Sequence, residues 1–246
     1  MVEKIYVISR LGMLNADLIL NLILDFFKKR DISASSYTLY GDEVHLEEVA
    51  SILKKKSRHT FLLNGNGFEI HLASVLRYQV DILSISAENG KNMFWDDWIT
   101  SISEQVKVVQ AWLVDADYDY WQNAEDSLQY ISHGRPWEHL PKRSNGLPPP
   151  LEKQIIDTSN NPGHRRFCMG YLEAIGAVMW LGDDFWSLTG ANKNDLLKQS
   201  WLKSREIPNG LLRIQVGNTL FSTASEGSDA IQLMLRGLLF PRAVAV

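Results

Sequence analysis

The stretch LVDADYDYWQN, Leu113 to Asn123, holds the densest set of reactive side chains in this sequence. Asp115, Asp117 and Asp119 stand on alternate residues, with Tyr118, Tyr120 and Trp121 among and just after them. In an extended chain the three carboxylates share one side and the two tyrosines the other. Three chemistries use such a pattern: a hard divalent cation, a catalytic carboxylate cluster, or a surface that holds a basic partner. A calcium loop starting at Asp115 requires glycine at its sixth position and glutamate at its twelfth. Tyr120 and Asp126 stand there instead, and no further ligands for a magnesium ion can be identified. No metal and no cofactor are therefore expected. Carboxylates exposed together steer a cationic partner, and tyrosine and tryptophan among them supply rigid anchors. The competing explanation is an edge strand that turns charge outward while its aromatics fill the core.

A second candidate is NPGHRRFC, Asn161 to Cys168, where His164 could lower the pKa of the Cys168 thiol. The plainer account is a Pro-Gly turn entering a strand, with Cys168 as a small core residue. No signature of a cysteine enzyme surrounds the pair. GxSxG, GxGxxG before a helix, a Walker lysine loop and HExxH are all absent. The histidines, 45, 59, 71, 133, 139 and 164, include no i, i+4 pair. The chain is expected not to be an enzyme. A small hydrolase or transferase using His164/Cys168 or the three aspartates is the alternative, and a structural subunit of a larger assembly is a third.

The elements that position these residues alternate between strand and helix patterns. KIYVIS reads as a buried strand. Asn15 caps NADLILNLILDFFKKRD, whose apolar residues recur at helical spacing. HLEEVASILKKK repeats that design. HTFLLNG and NGFEIHLASV flank Gly65-Asn66-Gly67, a hairpin signal, and YQVDILSISA alternates in the same way. WDDWITSISEQVKVVQAW has Trp95, Trp98, Ile102 and Val106 at helical spacing and predicts one helix. Between 123 and 161 the pattern weakens, and Pro148-Pro149-Pro150 closes a loop. FCMGYLEAIGAVMWLG, a short helix over DDFWSLTGANKNDLLKQS, a hairpin of LLRIQV with TLFSTA around Gly217-Asn218, and SDAIQLMLRGLLF follow. The expected fold class is α+β, with two comparable lobes of mainly antiparallel sheet packed with helices. The lobes would span 1–125 and 163–246 with a loop or linker at 126–162, or merge into one continuous domain.

With 246 residues, 45% of them hydrophobic, the chain can bury a sizeable core. A formal charge of -4 disfavours nucleic acid as a partner. One cysteine allows neither an internal disulfide nor a thiolate zinc cage, which fits a reducing cytoplasm. The apolar run Leu18–Phe27 contains Asn21 and Asp25 and is too short to span a bilayer. No signal peptide is recognisable, so no membrane association is expected.

The segment NPGHRRFCMGYLEAIGAVMWLGDDFWSLTG, followed by LLRIQV and SDAIQLMLRGLLFP, resembles the immunity proteins of bacterial polymorphic toxin systems, and among them the immunity protein 52 family. Trp180, Leu181, Gly182, Phe185 and Trp186, with Gly170, Gly176 and DADYDYWQN, carry the resemblance. It implies a non-catalytic cytoplasmic antidote that binds one cognate toxin domain and occludes its active site. The acidic middle of the chain adds the expectation that this toxin has a basic cleft. The residues expected at the contact are Asp115, Asp117, Asp119, Tyr118, Tyr120 and Trp121.

Overall fold

The first strand shows how the chain builds its layers. In β1 (Glu3–Arg10) Ile5 and Val7 belong to one hydrophobic cluster, Tyr6 and Ile8 to another, and all four are buried. A strand apolar on both sides needs cover on both sides. The structure, a computed structural model, describes residues 1–32, 36–55, 60–88, 93–223 and 227–241, so His59 lies outside it.

α1 (Ala16–Lys29) starts where the sequence indicates, with Asn15 Oδ1 accepting from Leu18 N at 2.9 Å. It buries Ile19, Leu20, Ile23, Phe26 and Phe27 against the first cluster. β2 (Tyr37–Leu39) and β3 (Asp42–Val44) precede α2 (Leu46–Lys55), which buries Leu46, Val49 and Leu53 there too. β4 (Phe61–Gly65) and β5 (Phe68–Val75) are joined by Asn66-Gly67. Both turn residues have positive φ, matching the twist of a two-residue hairpin. β6 (Val80–Ala87) follows, then α3 (Trp95–Ser103), whose Trp95, Trp98, Ile99 and Ile102 close the first layer.

The single helix expected over residues 95–112 is corrected here. α3 ends at Ser103, and Val108–Asp115 is β7, a central strand buried from Val108 to Val114. The helical spacing runs on to Val106, but VVQAWLV is continuously apolar or enclosed, as a strand covered on both faces must be. α4 (Ala116–Asn123), α5 (Ser127–Ser132), β8 (Lys142–Ser144) and β9 (Gln154–Ile156) follow. The supposed loop at 126–162 thus carries a helix and a small hairpin around Ala124, Tyr130 and Ile156. β10 (Arg166–Cys168) and β11 (Tyr171–Glu173) form a second small hairpin. β12 (Val178–Leu181), α6 (Asp183–Thr189), α7 (Lys193–Leu197), β13 (Leu202–Ile207), β14 (Leu211–Val216) and α8 (Ser228–Leu239) complete the chain. β14 pairs with β13 across Asn209-Gly210, and the described part of TLFSTA, residues 219–223, forms no strand, a second correction. The charged LKSREI of β13 hides a strand because it forms one edge of the sheet, where both sides can face water.

The α+β class is as expected, with one antiparallel sheet of ten strands in the order β13-β14-β12-β7-β1-β6-β5-β4-β2-β3. The division into lobes 1–125 and 163–246 does not divide this sheet, because β12 of the second half pairs with β7 of the first. The helices instead cover opposite faces, with α4 of the first half joining those of the second. α1, α2 and α3 pack on one, while α4, α6, α7 and α8 pack on the other over Trp112, Met179, Leu212 and Ile214.

Candidate functional site

The second face of the sheet is covered unevenly, and the uncovered part forms the site. Beyond β1 the helices of the second layer give way, and the outward residues of β6, β5 and β4 become polar. Lys4, Ser86, Glu69 and Asn64 lie in register across β1, β6, β5 and β4. This row floors an open cleft of about 870 Å³. Its walls are Gly65, Gly67 and Phe68 of the β4–β5 hairpin, Glu88 after β6, and Asp115, Asp117, Tyr120, Trp121 and His133.

The opening motif therefore reaches the cleft, but not as an extended chain, which corrects the expected geometry. Asp115 ends β7 and caps α4, its Oδ1 accepting from Asp117 N at 2.9 Å and Tyr118 N at 3.0 Å. Two unpaired N–H groups are thereby satisfied at a helix start that also favours negative charge. At 100° per residue, positions 117, 120 and 121 share one face of α4, and 118 and 119 turn the other way. Asp117, Tyr120 and Trp121 face the cleft; Tyr118 and Asp119 are buried. Tyr118 and Asp119, both expected at the contact, therefore belong to the interior, at 7% and 6% exposure. The three carboxylates diverge and make no common ligand set. Among the described residues no three His, Cys, Asp or Glu side chains gather as a metal site requires.

On the cleft side, Trp121 Nε1 donates to Asp117 Oδ1 at 2.9 Å, fixing carboxylate and indole together. Tyr120 meets Trp121 edge-on at 4.9 Å, and His133 meets it edge-on at 5.3 Å. Arg135 lies 4.1 Å over the Trp121 ring and pairs with Asp117 Oδ2 at 3.5 Å. Lys4 pairs with Glu69 at 3.3 Å. Carboxylates thus outnumber cations around an aromatic wall.

On the interior side, Asp119 accepts from the Tyr6 hydroxyl at 3.0 Å and pairs with Arg165 at 3.6 Å. Burial raises the Asp119 carboxyl above its ordinary range, and Arg165 opposes that shift. Burial likewise pushes the Tyr6 phenol upward. Tyr6 stacks on Trp112 at 5.0 Å, with Arg165 at 4.8 Å from its ring. Arg165 N donates to Asn123 Oδ1 at 2.7 Å, so the segment before β10 is tied to the end of α4.

The nucleophile and base suggested by NPGHRRFC are not brought into contact. His164 Nδ1 lies 3.0 Å from Thr158 Oγ1, while the Cys168 thiol donates to Glu173 Oε1 at 3.4 Å. Burial raises the Cys168 pKa, the reverse of what activates a thiolate. Burial and nearby arginines lower that of His164.

Sequence reasoning found the α4 side of the cleft and missed its floor. The alternation in FEIHLASV, which turns Glu69 and His71 away from the core, was the available signal. Arg135 and His133 sit where the sequence pattern weakens, and nothing in their spacing marks them.

No protein-family model matches the sequence, and no curated protein matches it. The fold is similar to that of the Pseudomonas aeruginosa T6SS protein PA0821. The TM-score is 0.55 at 10% identity, over 98% of this chain and 74% of that one. Among the described residues no helix is long and apolar enough to cross a membrane.

Proposed function

We propose that this chain is a binding protein of the immunity type, which neutralises a cognate bacterial toxin domain and carries out no chemistry of its own. The observation that carries this reading is the cleft: a preformed concave wall of tyrosine, tryptophan and histidine, with Asp115, Asp117, Glu69 and Glu88 around it. Affinity between proteins is lost when loops must be ordered on contact. Here Glu69, Asp115, Asp117, Tyr120 and Trp121 stand on β5, β7 and α4, which the two packed layers hold in place, while Glu88 follows β6 and His133 ends α5. Negative charge at the rim speeds encounter with a cationic surface, and Tyr120 and Trp121 are of the type that anchors interfaces. Likeness to a T6SS protein supports a place in interbacterial competition, as does the resemblance of WLG–FW and its flanking glycines to immunity proteins. In this reading the protein acts in the cytoplasm, and its target is a toxin whose active-site cleft is basic.

The test is co-expression with a toxin-like domain from a neighbouring gene, which the proposal expects to exist. Wild type is expected to form a stoichiometric complex and abolish toxicity. Asp117→Lys combined with Glu88→Lys should weaken the complex tenfold or more, since opposed charges become like charges. The melting temperature should fall only slightly, because Asp117 is 76% exposed, although the reversal gives up its bonds to Trp121 and Arg135. Asp115 is unsuited to this test because it caps α4. A complex indifferent to both reversals, or no complex at all, defeats the proposal.

A further inference from the structure

Arg135 lies against two residues of the cleft wall, Trp121 and Asp117, although it does not itself line the cleft. Its guanidinium lies 4.1 Å over Trp121 and reaches Asp117 Oδ2 at 3.5 Å. Yet this contact is incomplete. Asp117 Oδ1 accepts from the Trp121 indole and Arg135 reaches only Oδ2, so the two-pronged pair that guanidinium and carboxylate prefer is not formed. The Arg135 side chain is 44% exposed. Exposed pairs of this kind contribute little. The backbone of Arg135 is anchored separately, its N–H donating to Tyr130 O at 2.9 Å, so the side chain can leave without unfolding the turn.

A cation entering from the cleft meets more than Arg135 does. Besides Trp121 and Asp117 it finds Tyr120, the carboxylates of Asp115 and Glu88, and Glu69, which pairs with Lys4. We propose that Arg135 is an internal stand-in for an arginine side chain of the partner, and that docking exchanges one guanidinium for the other over Trp121. This deepens, and rests on, the reading of the cleft as the partner-binding surface. The stand-in has a consequence for specificity. In the free protein it covers the indole and neutralises one carboxylate, so weakly cationic ligands must compete with it, while a cognate arginine that also reaches Asp115 and Glu88 displaces it.

The experiment uses the full chain and a capped tri-arginine peptide, with tri-citrulline as the neutral counterpart, titrated at about 0.15 M salt to limit long-range charge effects. Arg135→Ala and Arg135→Gln should each bind tri-arginine about two- to fivefold tighter than wild type, the population factor expected when a surface cation–π competitor is removed. Lys142→Gln removes an equal charge, from a lysine 4.7 Å over Trp137. It should leave the affinity as it is. If Lys142→Gln tightens binding as much as Arg135→Gln, the effect is net charge and the exchange is refuted. If the Arg135 variants bind tri-arginine no better than wild type does, the exchange is refuted while the cleft reading survives. If neither wild type nor the variants bind tri-arginine in preference to tri-citrulline, both fall.

Discussion

Tyr6 and Asp119, 113 positions apart in the sequence, meet through a hydrogen bond of 3.0 Å that ties the first strand to the helix of the aspartate motif. The contact holds the side of α4 opposite the cleft, together with the Tyr118–Gln232 and Asn123–Arg165 bonds. Arg165 completes the arrangement, a quarter exposed beside a carboxylate that is 6% exposed. Arg165→Met should cost about 3 kcal/mol, since it strands a buried charge. Tyr6→Phe should cost about 1–2 kcal/mol, the loss of one donor to that carboxylate. Asp119 is raised by burial, so its protonated form favours the fold. The deficit of Arg165→Met should therefore be largest near neutral pH and shrink as pH falls toward the ordinary carboxyl value of 3.8. Urea unfolding at pH 7 and pH 4.5 measures both.

His164 should make the fold acid-sensitive in a defined window. Burial, with Arg236 nearby, lowers its pKa from the ordinary 6.5. The native state therefore binds the proton less readily than the unfolded chain. Its contribution is complete above pH 6.5 and is lost as pH falls through the lowered value. Melting temperatures between pH 7.5 and 5.5 should decline in wild type and decline less in His164→Asn. Equal slopes would assign the acid sensitivity to other groups, of which His71, also lowered by burial, is the first to test.

The two glycine types in the second half should respond to alanine with opposite signs. A Cβ on Gly182 would stand 2.0 Å from Val108 O, a backbone atom of the central strand that cannot retreat cheaply. Gly182→Ala should cost about 1–3 kcal/mol or prevent folding. Gly237 lies inside α8 with nothing within 4 Å of the added carbon. Gly237→Ala should gain about 0.5–1 kcal/mol. Thermal denaturation of the two variants side by side is sufficient.

These contrasts mark what was legible in the sequence. α1, α2 and the hairpin at Asn66-Gly67 were readable because cap, period and turn residue agree locally. β7 was not, because its identity depends on cover from both layers, which residues far along the chain provide. β13 was hidden for the opposite reason: an edge strand with little cover carries no apolar pattern. In the aspartate motif the residue types were informative and the period was not. Alternation suggested a strand, but Asp115 as a cap, and Asp117 bonded to Trp121 four residues on, turn it into a helix. Half of the motif was thereby moved inward. Cross-strand registers cannot be read from one segment, so the floor of the cleft stayed invisible.

Cys168 gives the sharpest division between a binding protein and a hydrolase or transferase. Its thiol donates to Glu173, which is 4% exposed and held by Arg166 through two bonds of 3.0 and 2.6 Å. Burial, with the Glu173 carboxylate adding to it, raises the thiol pKa above the ordinary 9.0. At neutral pH the sulfur is thus a protonated donor with little nucleophilic character. Alkylation by iodoacetamide at pH 7.4 should be slower than for a free model thiol, and should accelerate as pH rises past 9.0. Cys168→Ser keeps a donor in place, so melting temperature and protection against the toxin should both match wild type. A Cys168→Ser chain that folds but no longer protects would place Cys168 in the working surface, and rapid alkylation at neutral pH would restore the case for covalent chemistry.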